Sequence, residues 1–459
     1  MRTTVVVIGA GHSGLAVSRR LTERSIDHVV IERGEVANSW RTERWDSLRL
    51  LTPNWLTNLP GLPYRGDQPD GYMTAADLAT HIGDYAATID APVHTRTTVL
   101  RVRTGSCGYD VVTDRGCWQC AAVVIASGPC NTARVPSAAA SLPPTIGVRT
   151  AMDYRSPADL DEGGVLVVGA SATGVQLAEE IHHSGRPVTL AVGEHVRMPR
   201  TYRGRDIFWW TDAAATLDER YDELDDLVRA RGLPSPQLIG SSDRRSLDIN
   251  HLAREGITIV GRLGRITDGR AQFSGSLTNT CALADLKMNR LLDRLDTWTQ
   301  STDADVDPPE RFRPTQVSRP LLEVDLRRSG ISTVLFATGF RPEYSWLDLP
   351  VLDRRSRIVH DGGVITGAPG CYVVGLNILR RRRSSYISGA ERDSADIARL
   401  LHHHLDVAAR SRSRVGQSTT RSVQDGGSAT RGDAWDLTRR PDGCAVGTYT
   451  GTSSRPHAR

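Results

Sequence analysis

A short β-branched run, Val5-Val6-Val7-Ile8, breaks into Gly9-Ala10-Gly11-His12-Ser13-Gly14 and then into a helix-compatible segment. No other stretch limits the fold so tightly. In a Gly-x-Gly-x-x-Gly turn the first glycine permits the tight bend, and the second lets the backbone approach a pyrophosphate. The third lets the helix pack close to the strand, while the helix N-terminus offers amide donors and a positive dipole end. His28-Val29-Val30-Ile31-Glu32 then sets a carboxylate at the end of a second strand. That is about 20 residues on, where an acid can bind ribose hydroxyls. Dinucleotide binding is the expectation, with a glycine turn in an ordinary α/β core as the alternative.

The pattern returns. Gly164-Val165-Leu166-Val167-Val168 leads into Gly169-Ala170-Ser171-Ala172-Thr173-Gly174, and Val175, Ala178 and Ile181 follow at helical spacing. Such a repeat is an internal duplication of a nucleotide-binding half, and it implies two dinucleotides facing each other. The second strand of this unit, Val188 to Val192, has no carboxylate at its end. Glu194 lies two positions beyond, followed by His195, Arg197, Arg200, Arg203 and Arg205. A missing acid with arginines nearby favours a 2′-phosphate, hence NADPH over NADH, with Arg197 as the candidate. Some of these arginines are equally compatible with plain surface.

The bulk properties exclude several classes. With 459 residues the chain is long enough for two or three domains, and a net charge of +4 argues against a nucleic-acid binder. No apolar run approaches a membrane span, and a strand begins too early for a signal peptide. Seven cysteines, unevenly spread, fit a reduced cytoplasmic protein rather than a disulfide framework.

Between and beyond the two turns, Trp40, Arg41, Arg44, Trp45, Asp46 and Thr52 lie in a segment suited to walling a planar ligand. A solvated arginine-rich loop is the alternative. Residues 97–125 read as short strands, and the last ends in Ala126-Ser127-Gly128, small residues open to close approach by a ligand. Val334 to Phe336 ends in the same manner at Ala337-Thr338-Gly339. Cys117 and Cys120, flanked by Cys107 and Cys130, invite a redox or metal reading. A hairpin position without a helix N-terminus makes core cysteine the better reading. Asp206 to Trp210 could line a cavity or pack domains, residues 234–245 read as a surface excursion, and Leu283 to Thr299 reads as a helix. From Arg410 onward Ser, Thr, Gly and Arg dominate without periodicity, which predicts a disordered tail.

With both glycine turns, the Ser39-Trp40-Arg41 and Arg44-Trp45-Asp46 segment and Phe336-Ala337-Thr338-Gly339-Phe340 in view, the chain resembles the bacterial flavin-containing monooxygenases. The branch in question is often labelled flavoproteins involved in potassium transport. The similarity covers residues 3 to about 405 and implies two Rossmann-like domains in an α/β fold, the NADPH domain inserted into the FAD domain. The expected division is 1–158 and 331–408 for FAD, 159–330 for NADPH, and 409–459 for the tail. The resemblance implies FAD on the first unit, held by Gly9, Gly11, His12, Ser13, Gly14, Glu32, Arg33, Val99, Ala126, Ser127 and Gly128. The flavin ring would lie near Trp40, Arg41 and Thr52, with Arg44 and Asp46 beside it as catalytic candidates. NADPH would lie on Gly169, Ser171, Ala172, Thr173, Gly174, Gln176, Arg197, Ala337, Thr338 and Gly339.

The chain departs from the family's linker motif, placing Thr150 where a histidine is expected before Tyr154 and Arg155. The expected reaction is insertion of one oxygen atom of O2 into a small amine, sulfide or ketone through a flavin hydroperoxide. The alternatives are an NADPH oxidase, a disulfide reductase using Cys117 and Cys120, or a flavin-binding protein without turnover. Expected partners are a small organic substrate and O2, with no nucleic acid and no membrane; a homodimer is one candidate assembly.

Overall fold

Two five-stranded parallel sheets, each entered through one of the glycine turns, form the frame of the molecule. The computed structural model describes residues 1–424 except 107, 303, 318 and 319, with side chains described to residue 411. Cys107 and the chain beyond Gln424 therefore lie outside the described residues.

The first sheet starts with β1 (Val5–Ile8), followed by α1 (His12–Thr22) and β2 (His28–Ile31). Its strand order is 371–373, 122–125, β1, β2, 93–94. β1 and β2 are buried along their whole length, as a parallel strand covered on both faces must be, which is why they read as unbroken apolar runs. The second sheet has the order 258–261, 188–192, 164–168, 331–336, 147–150. Strands 147–150 and 331–336, expected on the first domain, thus pair in the second sheet. A parallel strand carries no mark in its own sequence of which sheet it will join.

The chain passes between the sheets twice, and the two passages meet as an antiparallel ribbon of Thr132–Ala133 with Phe340–Arg341. A three-stranded antiparallel meander, 99–105, 108–113 and 116–120, packs beside the first sheet. Cys117 and Cys120 lie on its last strand rather than at a hairpin. Ala122–Ile125 pairs in parallel with β1 instead of joining that meander.

The aromatic cluster after Asp206 is interior packing: Trp210 is fully buried and donates from Nε1 to the Tyr202 carbonyl at 2.6 Å. The helix expected from Leu283 begins earlier, at Leu277, and runs to Gln300. Met1–Asp406 form one compact unit, and a second begins at Val407. The last helix runs Gly389–Gln424, so residues 409–424 are helical where a disordered tail is expected. Among the described residues no helix is long and apolar enough to cross a membrane.

Candidate dinucleotide-binding sites

Steric demand explains the first turn. Gly9 has φ of 111°, and a Cβ there would sit 2.5 Å from the Ala126 carbonyl oxygen. A Cβ on Gly14 would collide with the Gly9 carbonyl. Gly11 differs from both, because a Cβ there would meet no protein atom within 4 Å. Its side therefore faces open space. Gly11 caps α1 without a side-chain hydrogen bond, leaving the first-turn amides open to an anion.

Around this turn, His12 Nε2, Ser13 Oγ and Ser127 Oγ are buried without hydrogen-bond partners. Glu32 is buried, and its carboxylate accepts from the Ala10 amide at 2.8 Å and the Gly34 amide at 3.0 Å. Amide donors, unsatisfied hydroxyls and a braced acid fit a pyrophosphate with its ribose. His12 is the first residue of α1 rather than part of a loop. Burial lowers its pKa to about 4, so it stands there as a neutral ring. Sequence reasoning missed Gly375, where an added Cβ would come within 2.7 Å of Ser13 Oγ. Only its position after the strand 371–373 hinted at this.

The ring-wall segment is partly helical. α2 (Asn38–Thr42) carries Trp40 and Arg41. Arg44 places its guanidinium carbon 5.4 Å from the Trp40 ring centroid and 6.0 Å from that of Phe340. It thus joins this segment to the ribbon between the sheets. Arg41 is engaged elsewhere, donating to the carbonyls of Val36 at 3.0 Å and Ala79 at 3.2 Å. Arg33 pairs with Glu43. Asp46 is exposed and forms no ion pair among the described residues, so no Arg44–Asp46 bridge exists. Thr52 is half-buried next to Pro53, and Val99 begins the meander against the core of the first sheet.

The second turn repeats the first. Gly169 has φ of 112°, and a Cβ there would collide with the Ala337 carbonyl, as one on Gly174 would with that of Gly169. Ser171 stands where the first turn has Gly11, and it caps the helix Ala172–His183 without using its side chain. Ala172 and Thr173 supply the first helical amides. Gly339 and Gly128 occupy matching places, both at positive φ with open space on the Cβ side. Thr338 Oγ1 is bonded to the Arg134 carbonyl. Gln176 donates to the Leu238 carbonyl at 2.9 Å, which makes it a brace of the turn's surroundings.

Arg197 is engaged within the protein. It is buried, paired with Asp248 at 2.7 Å and Asp285 at 2.7 Å, and bonded to the Arg313 carbonyl at 2.9 Å. Its donors are occupied by carboxylates too distant in sequence to be anticipated. Arg200 and Arg203 pair with Asp206 and Asp296. At the end of the strand 188–192 the structure brings other cations. Lys287 pairs with Glu194 at 3.1 Å, and the Arg262 side chain lies over Gly193.

Cys117 and Cys120 are three residues apart on one strand, so they point to opposite faces. Cys120 is buried, donates to the Tyr109 carbonyl at 3.8 Å, and burial pushes its thiol up to about 12. A disulfide-exchange pair needs neighbouring thiols of low pKa.

Comparison with known proteins agrees with this architecture. The family model for pyridine nucleotide-disulphide oxidoreductases matches residues 6–205. An uncharacterised CzcO-like oxidoreductase of Geobacillus kaustophilus is 30% identical over 404 residues, covering 87% of this chain and 98% of that protein. The indole-3-pyruvate monooxygenase YUCCA6 of Arabidopsis thaliana is 30% identical over 224 residues, 45% of this chain and 52% of that one. Among solved structures, a flavin-containing monooxygenase from Stenotrophomonas maltophilia superposes with a TM-score of 0.62 at 19% identity. That match covers 88% of this chain and 99% of the other. The paired glycine cradles and the match to the Geobacillus protein over 404 residues together establish that the chain belongs to the CzcO-like oxidoreductases.

Proposed function

We propose that the chain is an FAD- and NADPH-dependent monooxygenase that adds one oxygen atom of O2 to a small organic amine, sulfide or ketone. The observation that carries this reading is two matched dinucleotide cradles, with Cys117 and Cys120 on opposite faces of one strand and no low-pKa dithiol among the described residues. Electrons arriving from a nicotinamide then leave to an external acceptor rather than through Cys117 and Cys120.

The first turn, Ser13, Ser127 and Glu32 would hold the FAD pyrophosphate and ribose. The second turn would hold NADPH, with Arg262 and Lys287 near its 2′-phosphate. The chemistry supplied by bound flavin is two-electron transfer from NADPH to O2, one oxygen atom passing to substrate and the other leaving as water. The protein's part is to hold the two rings together and exclude water. Trp40, Arg44 and Phe340 form the wall that suits this task, with a cation stacked between two rings in place of an acid–base pair.

The test supplies NADPH and isotopically labelled O2 to the FAD-loaded protein with a panel of amines, sulfides and ketones. Label in a product supports the reading. NADPH consumption that yields only hydrogen peroxide across the panel replaces it with the oxidase. No consumption of NADPH across the panel would favour a flavin-binding protein without turnover, the reading Thr150 supports, its amide and hydroxyl engaged by Asp153 at 2.5 and 2.8 Å where a family histidine is expected.

A further inference from the structure

The segment expected to be a surface excursion is partly interior: Gln237, Leu238 and Gly240 are buried. Gln237 has no exposed surface, and its Nε2 donates to the Ala170 carbonyl at 2.8 Å. A carbonyl accepts only from the NH2 end of an amide, so this bond fixes which way Gln237 points. Its Oε1 is therefore an acceptor, and it is buried with no hydrogen-bond partner. Interiors rarely keep such a group without a donor to meet it.

Ala170 is the second residue of the second glycine turn. A pyrophosphate on that turn carries acceptors alone, so it cannot satisfy Gln237 Oε1. A donor supplied by the bound cofactor would therefore be a hydroxyl or an amide N–H. The chain leaving Gln237 also gives a direction. The Leu238 carbonyl takes Gln176, while Arg200 donates to the carbonyls of both Ile239 and Leu51. Gly240 lies against the Leu50 carbonyl, close enough that a Cβ would collide. The segment thus runs from the second turn to the edge of the ring-wall segment, the direction in which a nicotinamide held on that turn would meet a flavin held there.

We propose that Gln237 Oε1 accepts a hydrogen bond from the nicotinamide riboside half of bound NADPH, from a ribose hydroxyl or the carboxamide N–H, and so positions the nicotinamide. This rests on reading the second turn as the NADPH site. Gln237 is a binding and positioning residue, with no part in bond making.

Calorimetric titration of the FAD-loaded, full-length protein tests it, using NADP+ and a 2′-phosphorylated ADP fragment that lacks the nicotinamide riboside. Gln237→Met should weaken NADP+ by about tenfold more than it weakens the fragment, the scale of one neutral hydrogen bond, because loss of the Ala170 bond acts on both ligands alike. Equal weakening of both ligands would mean that Gln237 only braces the turn, and would overturn the proposal. No weakening of either would overturn it too. Failure of the unsubstituted protein to bind NADP+ would instead remove the NADPH reading itself. An acetylpyridine analogue, which lacks the carboxamide N–H, identifies the donor. Loss of the variant's penalty with that analogue assigns the carboxamide, and its persistence assigns the ribose.

Discussion

Arg200 donates from Nη1 to the Leu51 carbonyl at 2.8 Å, tying the second domain to the backbone beside the expected flavin wall. The guanidinium is fully buried, stacked on Tyr72 at 4.9 Å and Phe208 at 5.4 Å, and paired with Asp206 at 2.8 Å. Asp206 also accepts from the Tyr72 hydroxyl at 2.7 Å. Removing the cation strands a buried carboxylate. Arg200→Met should therefore lose about 3–5 kcal/mol in denaturant unfolding. Adding Asp206→Asn should recover part of that, since asparagine keeps the helix cap and sheds the charge. An Arg200→Met variant as stable as the parent would show that the pair is not a clamp.

The glycines of the first turn separate folding from binding. Gly14→Ala places a Cβ against the Gly9 carbonyl and should destabilise the fold by about 1–3 kcal/mol, the usual range for overpacking. Gly11→Ala meets no protein atom, so thermal unfolding of the FAD-free protein should stay within about 0.5 kcal/mol of the parent. Its FAD affinity should fall, read by flavin fluorescence on titration. Equal effects of the two substitutions on stability would refute this division of roles.

The cysteines of the meander should be dispensable. Cys117→Ala and Cys120→Ala are expected to keep the parental rate of flavin reduction by NADPH, and thiol titration should find no change as the flavin is reduced. A large loss in either variant would restore the disulfide-reductase reading.

His360 sets a pH dependence away from both turns. Burial first, then the nearby Arg231, lowers its pKa to about 4, and its Nδ1 accepts from the Gly363 amide at 3.2 Å. The native ring stays neutral while the unfolded chain takes up a proton below the ordinary histidine value, about 6.5. Stability is therefore lost as pH falls from about 6.5 toward 4, and no further below that. His360→Gln should make unfolding curves over this window less steep in pH. An unchanged slope would mean that His360 does not contribute it.

Much of the frame is legible in the sequence because its causes are local. Gly9, Gly14, Gly169 and Gly174 answer to collisions within a few residues or with one neighbouring strand end, and the buried strands need unbroken apolar runs. Side-chain roles were less legible where the partner is distant. Arg197 has the right position after its strand, yet Asp248 and Asp285 decide its use. Nothing in residues 234–245 signals burial, because Gln237 is held by one backbone carbonyl in another element. Ser171 at a glycine position shows the converse: a turn tolerates a side chain where its Cβ points to the ligand side, as Gly11 does.

The most direct measurement is anaerobic mixing of the FAD-loaded protein with NADPH, following the absorbance of the oxidised flavin and the thiol content together. Complete bleaching by one equivalent of NADPH, with thiols unchanged, is the predicted result. An unbleached flavin would contradict the pairing of two dinucleotides on this chain, and bleaching that requires Cys117 or Cys120 would contradict an electron route that bypasses the thiols.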